Sequence, residues 1–178
     1  MEPSPRTVLI VDDEANLLSA LERTLRRENY TVLTASEPSE ALALLRQHPV
    51  DVVVSDNLMP NMSGLDFLKE VRALHPEVVR IMLTGHADVA TAVEAINEGE
   101  IFRFLTKPWE DAELKVALHL AFDKAAEERT NRQLLMAAQA QRALLSRLER
   151  EHPSLYLLRD ENGALFVDKD DQATLAIG

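Results

Sequence analysis

A small set of reactive side chains stands directly after short apolar runs. Asp12 and Asp13 follow residues 7–11, Asp56 follows 50–55, Thr84 follows 79–83, and Thr106 and Lys107 follow 101–105. If the runs are neighbouring parallel strands, these positions share one edge of a sheet, where the carboxyl ends of strands splay apart and ligands bind. Three carboxylates, a hydroxyl and an ammonium would then converge. Carboxylates crowded together repel, and their pKa values rise unless a cation joins them. Hard oxygen donors in this number select Mg²⁺, which keeps some of its waters and accepts phosphate oxygens as further ligands. A carboxylate beside such an ion can attack phosphorus to give an aspartyl phosphate. The metal and the lysine would neutralise the equatorial oxygens during transfer.

The elements that must position these groups are legible in the same stretch. The runs at 7–11, 31–35, 50–55, 79–83 and 101–105 are short and rich in β-branched residues, and charge, Pro or Gly bounds them, as expected of buried strands. Between them lie 14–28, 38–47, 64–74 and 87–98, with apolar residues at three- and four-residue steps; Leu17, Leu18, Leu21 and Leu25 form one such stripe. Repeated strand-then-helix units predict a doubly wound α/β domain, a five-stranded parallel sheet with helices on both faces.

At these positions the chain resembles the receiver domain of two-component response regulators, a CheY-like, flavodoxin-like fold with strand order 2-1-3-4-5. The resemblance rests on VLIVDDE at 8–14, DNLMPNMSG at 56–64, MLTG at 82–85 and FLTKP at 104–108, and covers roughly residues 6–125. It implies that Asp56 is the phosphoacceptor, charged by a sensor histidine kinase. Asp13 would be a direct Mg²⁺ ligand and Asp12 a water-mediated one, joined by Asp56 and the Leu58 carbonyl. Lys107 would pair with phosphoryl oxygens, Thr84 would hydrogen-bond the phosphoryl group, and Phe104 would be the switch aromatic. A cis peptide is expected at Lys107–Pro108. Leu58 and His86 occupy two positions that vary among receivers; neither suits the orientation of an attacking water, so a phosphoryl lifetime longer than seconds is expected.

Beyond the receiver, at 1–125, the texture changes. From Trp109 to His152 there is neither Gly nor Pro, which predicts one long helix starting after Pro108. Residues 127–132 are polar throughout. Leu134, Leu135, Ala138, Leu144, Leu145 and Leu148 then restore an apolar stripe, read as a coiled coil that dimerises the chain over 126–152. In the tail, 153–178, Asn162-Gly163 between the apolar stretches 155–158 and 164–167 predicts a short β-hairpin. The acidic cluster at 168–171 lacks the spacing of a calcium loop and reads as a solvated end.

Composition bounds the remaining classes. The 178 residues contain no cysteine, which excludes disulfide scaffolds, thiolate metal sites and cysteine nucleophiles. A net charge of −11 argues against direct nucleic-acid binding. No apolar run spans a membrane and no signal-peptide pattern is present, so a cytoplasmic protein is expected. His119 could suggest a phosphotransfer histidine, but it falls on the helix that closes an α/β domain. Haloacid-dehalogenase-type phosphatases also use aspartate and Mg²⁺, but place two aspartates one residue apart on the first strand; Asp12-Asp13 does not fit.

The expected protein is therefore a non-enzymatic signalling switch without DNA-binding or catalytic output domain. It would act through conformational change, homodimerisation and contact with an unknown downstream protein. A phosphorelay intermediate and a constitutive dimeric scaffold are the alternatives. The stretch 99–109 is similar to that of receivers fused to HD-GYP cyclic-di-GMP hydrolases or to enhancer-binding regulators.

Overall fold

The computed structural model describes residues 6–151, 157–159 and 165–167. Five strands, β1 (Arg6–Val11), β2 (Tyr30–Ala35), β3 (Val52–Asp56), β4 (Val79–Thr84) and β5 (Arg103–Thr106), form one parallel sheet in the order β2-β1-β3-β4-β5. Between them run α1 (Ala15–Leu25), α2 (Pro38–Gln47), α3 (Gly64–Leu74) and α4 (Val89–Asn97), and α5 (Asp111–Glu151) follows β5. The sheet order is the one expected.

The period-two alternation of strand side chains divides the core into two layers. Val8, Ile10, Val52, Val54, Ile81, Leu83 and Leu105 face Leu21 and Leu25 of α1 and Leu114, Leu118, Ala121 and Phe122 of α5. Leu9, Val11, Val53 and Met82 face Ala41 and Leu45 of α2, Phe67, Leu68 and Val71 of α3, and Ala92 and Ala95 of α4. β1 is an interior strand buried on both sides, which is why it reads as a continuous apolar run rather than an alternating one. Each large side chain fully buried here contributes roughly 1.5–3 kcal/mol relative to exposure.

Element boundaries differ from the sequence expectation in places with a local cause. The stretch 87–98 does not form one helix: residues His86–Asp88 make a 3-10 turn before α4 begins at Val89. β3 starts at Val52, and Asp51 before it is buried through its polar contacts: Oδ2 accepts the Thr7 N–H at 2.9 Å and Oδ1 pairs with Arg129 of α5. Ile101 is buried without belonging to β5, because Gly99, at φ 71°, turns the chain sharply after α4.

α5 is one uninterrupted helix. The chain divides into a compact unit that ends at Thr130 and a second that begins at Asn131. The first closes past residue 125 because Arg129 reaches back to Asp51. In the second, the 131–151 part of α5 exposes Leu134, Leu135, Met136, Leu144 and Leu148, and β6 (Leu157–Arg159) pairs antiparallel with β7 (Leu165–Val167). The Asn162-Gly163 turn and the 168–171 acidic cluster lie outside the described residues.

Candidate functional site: an acidic cluster with a lysine

Four of the groups singled out in the sequence meet at the carboxyl edge of the sheet. One carboxylate oxygen from each of Asp12, Asp13 and Asp56 lies within 4.8 Å of the other two. Lys107 Nζ sits 2.7 Å from Asp56 Oδ1 and 3.1 Å from Asp12 Oδ2. Strand pairing produces this meeting: β1 and β3 are neighbours, and the Lys107 N–H donates to the Thr84 carbonyl at 2.8 Å, extending the β4–β5 ladder to the lysine. The Lys107–Pro108 peptide is cis, as expected.

Asp56 is almost completely buried, and its Oδ2 accepts the Leu58 N–H at 3.1 Å. The loop carrying Leu58 is held against the strand end by α3. Ser63 caps that helix by accepting the Asp66 N–H at 3.1 Å, and the Gly64 N–H donates to the Asn57 carbonyl at 2.8 Å. A β-carbon at Gly64 would stand 1.8 Å from the Asp56 carbonyl oxygen, so only glycine lets the helix start this close to the acceptor. Asn61, at φ 68°, supplies the left-handed turn between them.

The electrostatics are those of a site short of positive charge. Burial raises the Asp12 pKa above the usual carboxylate value, against the opposing pull of the Glu14 N–H and Lys107. For Lys107, burial works to lower the pKa, but hydrogen bonds to Asp56 and Asp12, with the charges behind them, outweigh it and raise it. One ammonium pairs with two of the three carboxylates. The donor set is all hard oxygen, with no sulfur or imidazole, which fits a small divalent cation such as Mg²⁺. An open cleft of about 630 Å³ lies alongside, lined by Asp13, Asn57, Leu58 and Met59 among others.

The remaining residues stand close by but are engaged differently. Thr84 is fully buried, and its hydroxyl donates to the Gly85 carbonyl at 3.3 Å. Phe104 is half-buried against the core layer of α2, α3 and α4, opposite Met82 in strand register. The Leu58 side chain is 68% exposed. Sequence reasoning passed over two contributors: buried Asn57, and the glycine whose missing β-carbon sets the approach of α3. Asn57 and Gly64 lie inside the quoted DNLMPNMSG motif, and their contact was the available signal.

The family model for the response regulator receiver domain matches residues 8–119. The chain belongs to that family. Among curated relatives, the hydrogenase transcriptional regulatory protein HoxA of Cupriavidus necator is 45% identical over 109 residues, 61% of this chain and 22% of HoxA. The response regulator protein PilR of Pseudomonas aeruginosa is 33% identical over 161 residues, 86% of this chain and 36% of PilR. The chain thus spans about a fifth to a third of the length of these relatives. Among solved structures, the signal receiver domain of an HD domain-containing protein from Pseudomonas fluorescens Pf-5 superposes with a TM-score of 0.68 at 37% identity, over 73% of this chain and 96% of that one. A structure described as adenylate cyclase from Rhodopirellula baltica gives 0.71 at 36% identity, over 74% and 97%. These likenesses establish the receiver. No described helix is long and apolar enough to cross a membrane.

Proposed function

We propose that this receiver, working in the cytoplasm, accepts a phosphoryl group on Asp56 from a phosphohistidine of its cognate sensor histidine kinase, with Mg²⁺ held by Asp12, Asp13, Asp56 and the Leu58 carbonyl. The observation that carries the reading is the single ammonium of Lys107 bridging Asp56 and buried Asp12 within a three-carboxylate cluster. A bound Mg²⁺ would supply charge neutralisation for phosphoryl oxygens beside the carboxylates. A carboxylate oxygen of Asp56 forms the new O–P bond as the P–N bond to imidazole breaks, and the departing nitrogen keeps that electron pair. Lys107, already 2.7 Å from Asp56, follows the negative charge onto the transferring oxygens. The Leu58 N–H, bonded to Asp56 Oδ2, and Lys107, paired with Oδ1, hold the carboxylate from both of its oxygens.

Output proceeds by population shift. The Thr84 hydroxyl exchanges its local Gly85 acceptor for a phosphoryl oxygen, and Phe104 moves inward as the threonine leaves its place. The change reaches a downstream protein and a second copy of the chain, paired through Leu134, Leu135, Ala138, Leu145 and Leu148. Support for the pairing is the exposure of Leu134 and Leu135, 64% each, on a helix; an exposed apolar stripe is a common mark of an interaction surface.

Incubation with acetyl phosphate and Mg²⁺, read by phosphate-affinity gel, tests the chemistry. The expected product is one base-labile phosphoprotein that disappears in Asp56→Asn and without Mg²⁺. A phosphoprotein that persists in Asp56→Asn overturns the assignment.

A further inference from the structure

Strand β3 carries a buried carboxylate at each end, Asp51 just before its first residue and Asp56 as its last, about 16 Å apart along an extended strand. Each is paired with a cation borne by the segment that leads into or forms α5: Asp56 with Lys107 and Asp51 with Arg129. The Asp51 side chain also accepts the Thr7 N–H of β1, while its backbone bonds Thr7 and Val79, so one residue joins β1, β3, β4 and α5.

We infer that Arg129 and Asp51 form a clamp at the amino edge of the sheet that makes residues 126–130 part of the receiver, and through which a change at Asp56 is passed to the rest of α5. The clamp rests on the receiver reading for its input, but not for its existence. Its two halves are unequal. The Asp51 side chain is 9% exposed and that of Arg129 45%. Opening would move the arginine towards water and leave a carboxylate charge stranded among strands, which is costly. The closed state is therefore favoured, and Arg129 borders a cavity of about 340 Å³ shared with His48, His75 and Glu77, which gives the side chain space beside the pair. A device of that kind holds firmly and can be released.

Hydrogen exchange by mass spectrometry on the whole chain tests it, using Arg129→Ala, Asp51→Asn (whose amide oxygen still accepts the Thr7 N–H) and the double variant. Without any phosphoryl mimic, both single variants are expected to speed exchange over 126–130 about tenfold or more, as for loss of a buried charged hydrogen bond, and the double variant no further. Protection of β1, β3 and β4 should fall less than that of 126–130, and less in Asp51→Asn than in Arg129→Ala, which leaves the buried carboxylate without its cation. Unchanged exchange at 126–130, or additive effects, overturns the clamp. In a second arm, beryllofluoride with Mg²⁺ mimics the aspartyl phosphate, and the fluorescence of Trp109, the only tryptophan, reports loading. Wild type should show altered exchange beyond residue 130 on loading, and Arg129→Ala should load equally but lose that change. Loading without any change beyond 130 in wild type overturns transmission. Absence of loading overturns the phosphoacceptor reading and transmission with it, leaving the first arm to judge the clamp.

Discussion

The two parts of α5 treat the same residue types in opposite ways. Up to Thr130 one face of the helix disappears: Leu114, Ala117, Leu118, Ala121 and Ala125 are at most 3% exposed, because they close the core layer shared with α1, while Leu120 outside that face stays 39% exposed. From Asn131 onward, Leu134 and Leu135 are each 64% exposed. Apolar spacing alone does not distinguish the two. The first stretch is matched by strands of the same unit, whereas the second is left exposed among the described residues.

Several experiments sharpen or break this contrast, beginning with the largest effect. Phe67→Ala, at a fully buried site, should cost about 3–5 kcal/mol in urea unfolding, whereas Leu134→Ala should change the receiver transition by no more than about 0.5 kcal/mol. Equal costs would mean that the distal stripe is already buried within the chain. Gly64→Ala should lower stability by about 2 kcal/mol or more and slow phosphorylation together, since α3 must retreat from the acceptor strand. Saturation with Mg²⁺ at a hundredfold over its dissociation constant should add about 2.7 kcal/mol. Asp12→Asn should abolish that gain yet stabilise the metal-free receiver, because burial disfavours the carboxylate's charge. Differential scanning fluorimetry with and without EDTA reads both signs.

Leu145→Asp should halve the solution mass by light scattering without altering phosphorylation; an unchanged dimer would remove the distal stripe from the interface. The smallest effect concerns the rim of the cleft. Leu58→Asn or His86→Glu, placing groups able to orient water, should shorten the aspartyl-phosphate half-life several-fold from a wild-type value longer than seconds. A wild-type half-life of a few seconds would overturn that expectation.

Much of this was legible in the residues. β1 and β3 are short and β-branched, and the acids follow them directly, so Asp12, Asp13 and Asp56 had to share an edge once the strands were parallel. Lys107 was placed by the same reasoning through β5. The cation beside Asp51 was not legible. Arg129 lies 78 residues away in a polar stretch, and nothing in either local sequence signals the other. Its effect was to carry the compact unit past the point where the apolar stripe of α5 fades. Thr84 was found, but its present hydrogen bond to Gly85 depends on the backbone of the following turn, which spacing does not specify.

Gly64 also bears on the history open to this gene. Every amino-acid replacement reachable from a glycine codon by one base change carries a β-carbon, and each would drive that atom into the Asp56 carbonyl 1.8 Å away. No mild first step exists from which drift could begin. Leu58 nearby, whose side chain is 68% exposed, can be exchanged one codon at a time to retune the switch, whereas Asn61, at φ 68°, admits few residues besides glycine and aspartate. The loop can thus diversify at exposed positions of ordinary backbone around one at which it is mutationally locked.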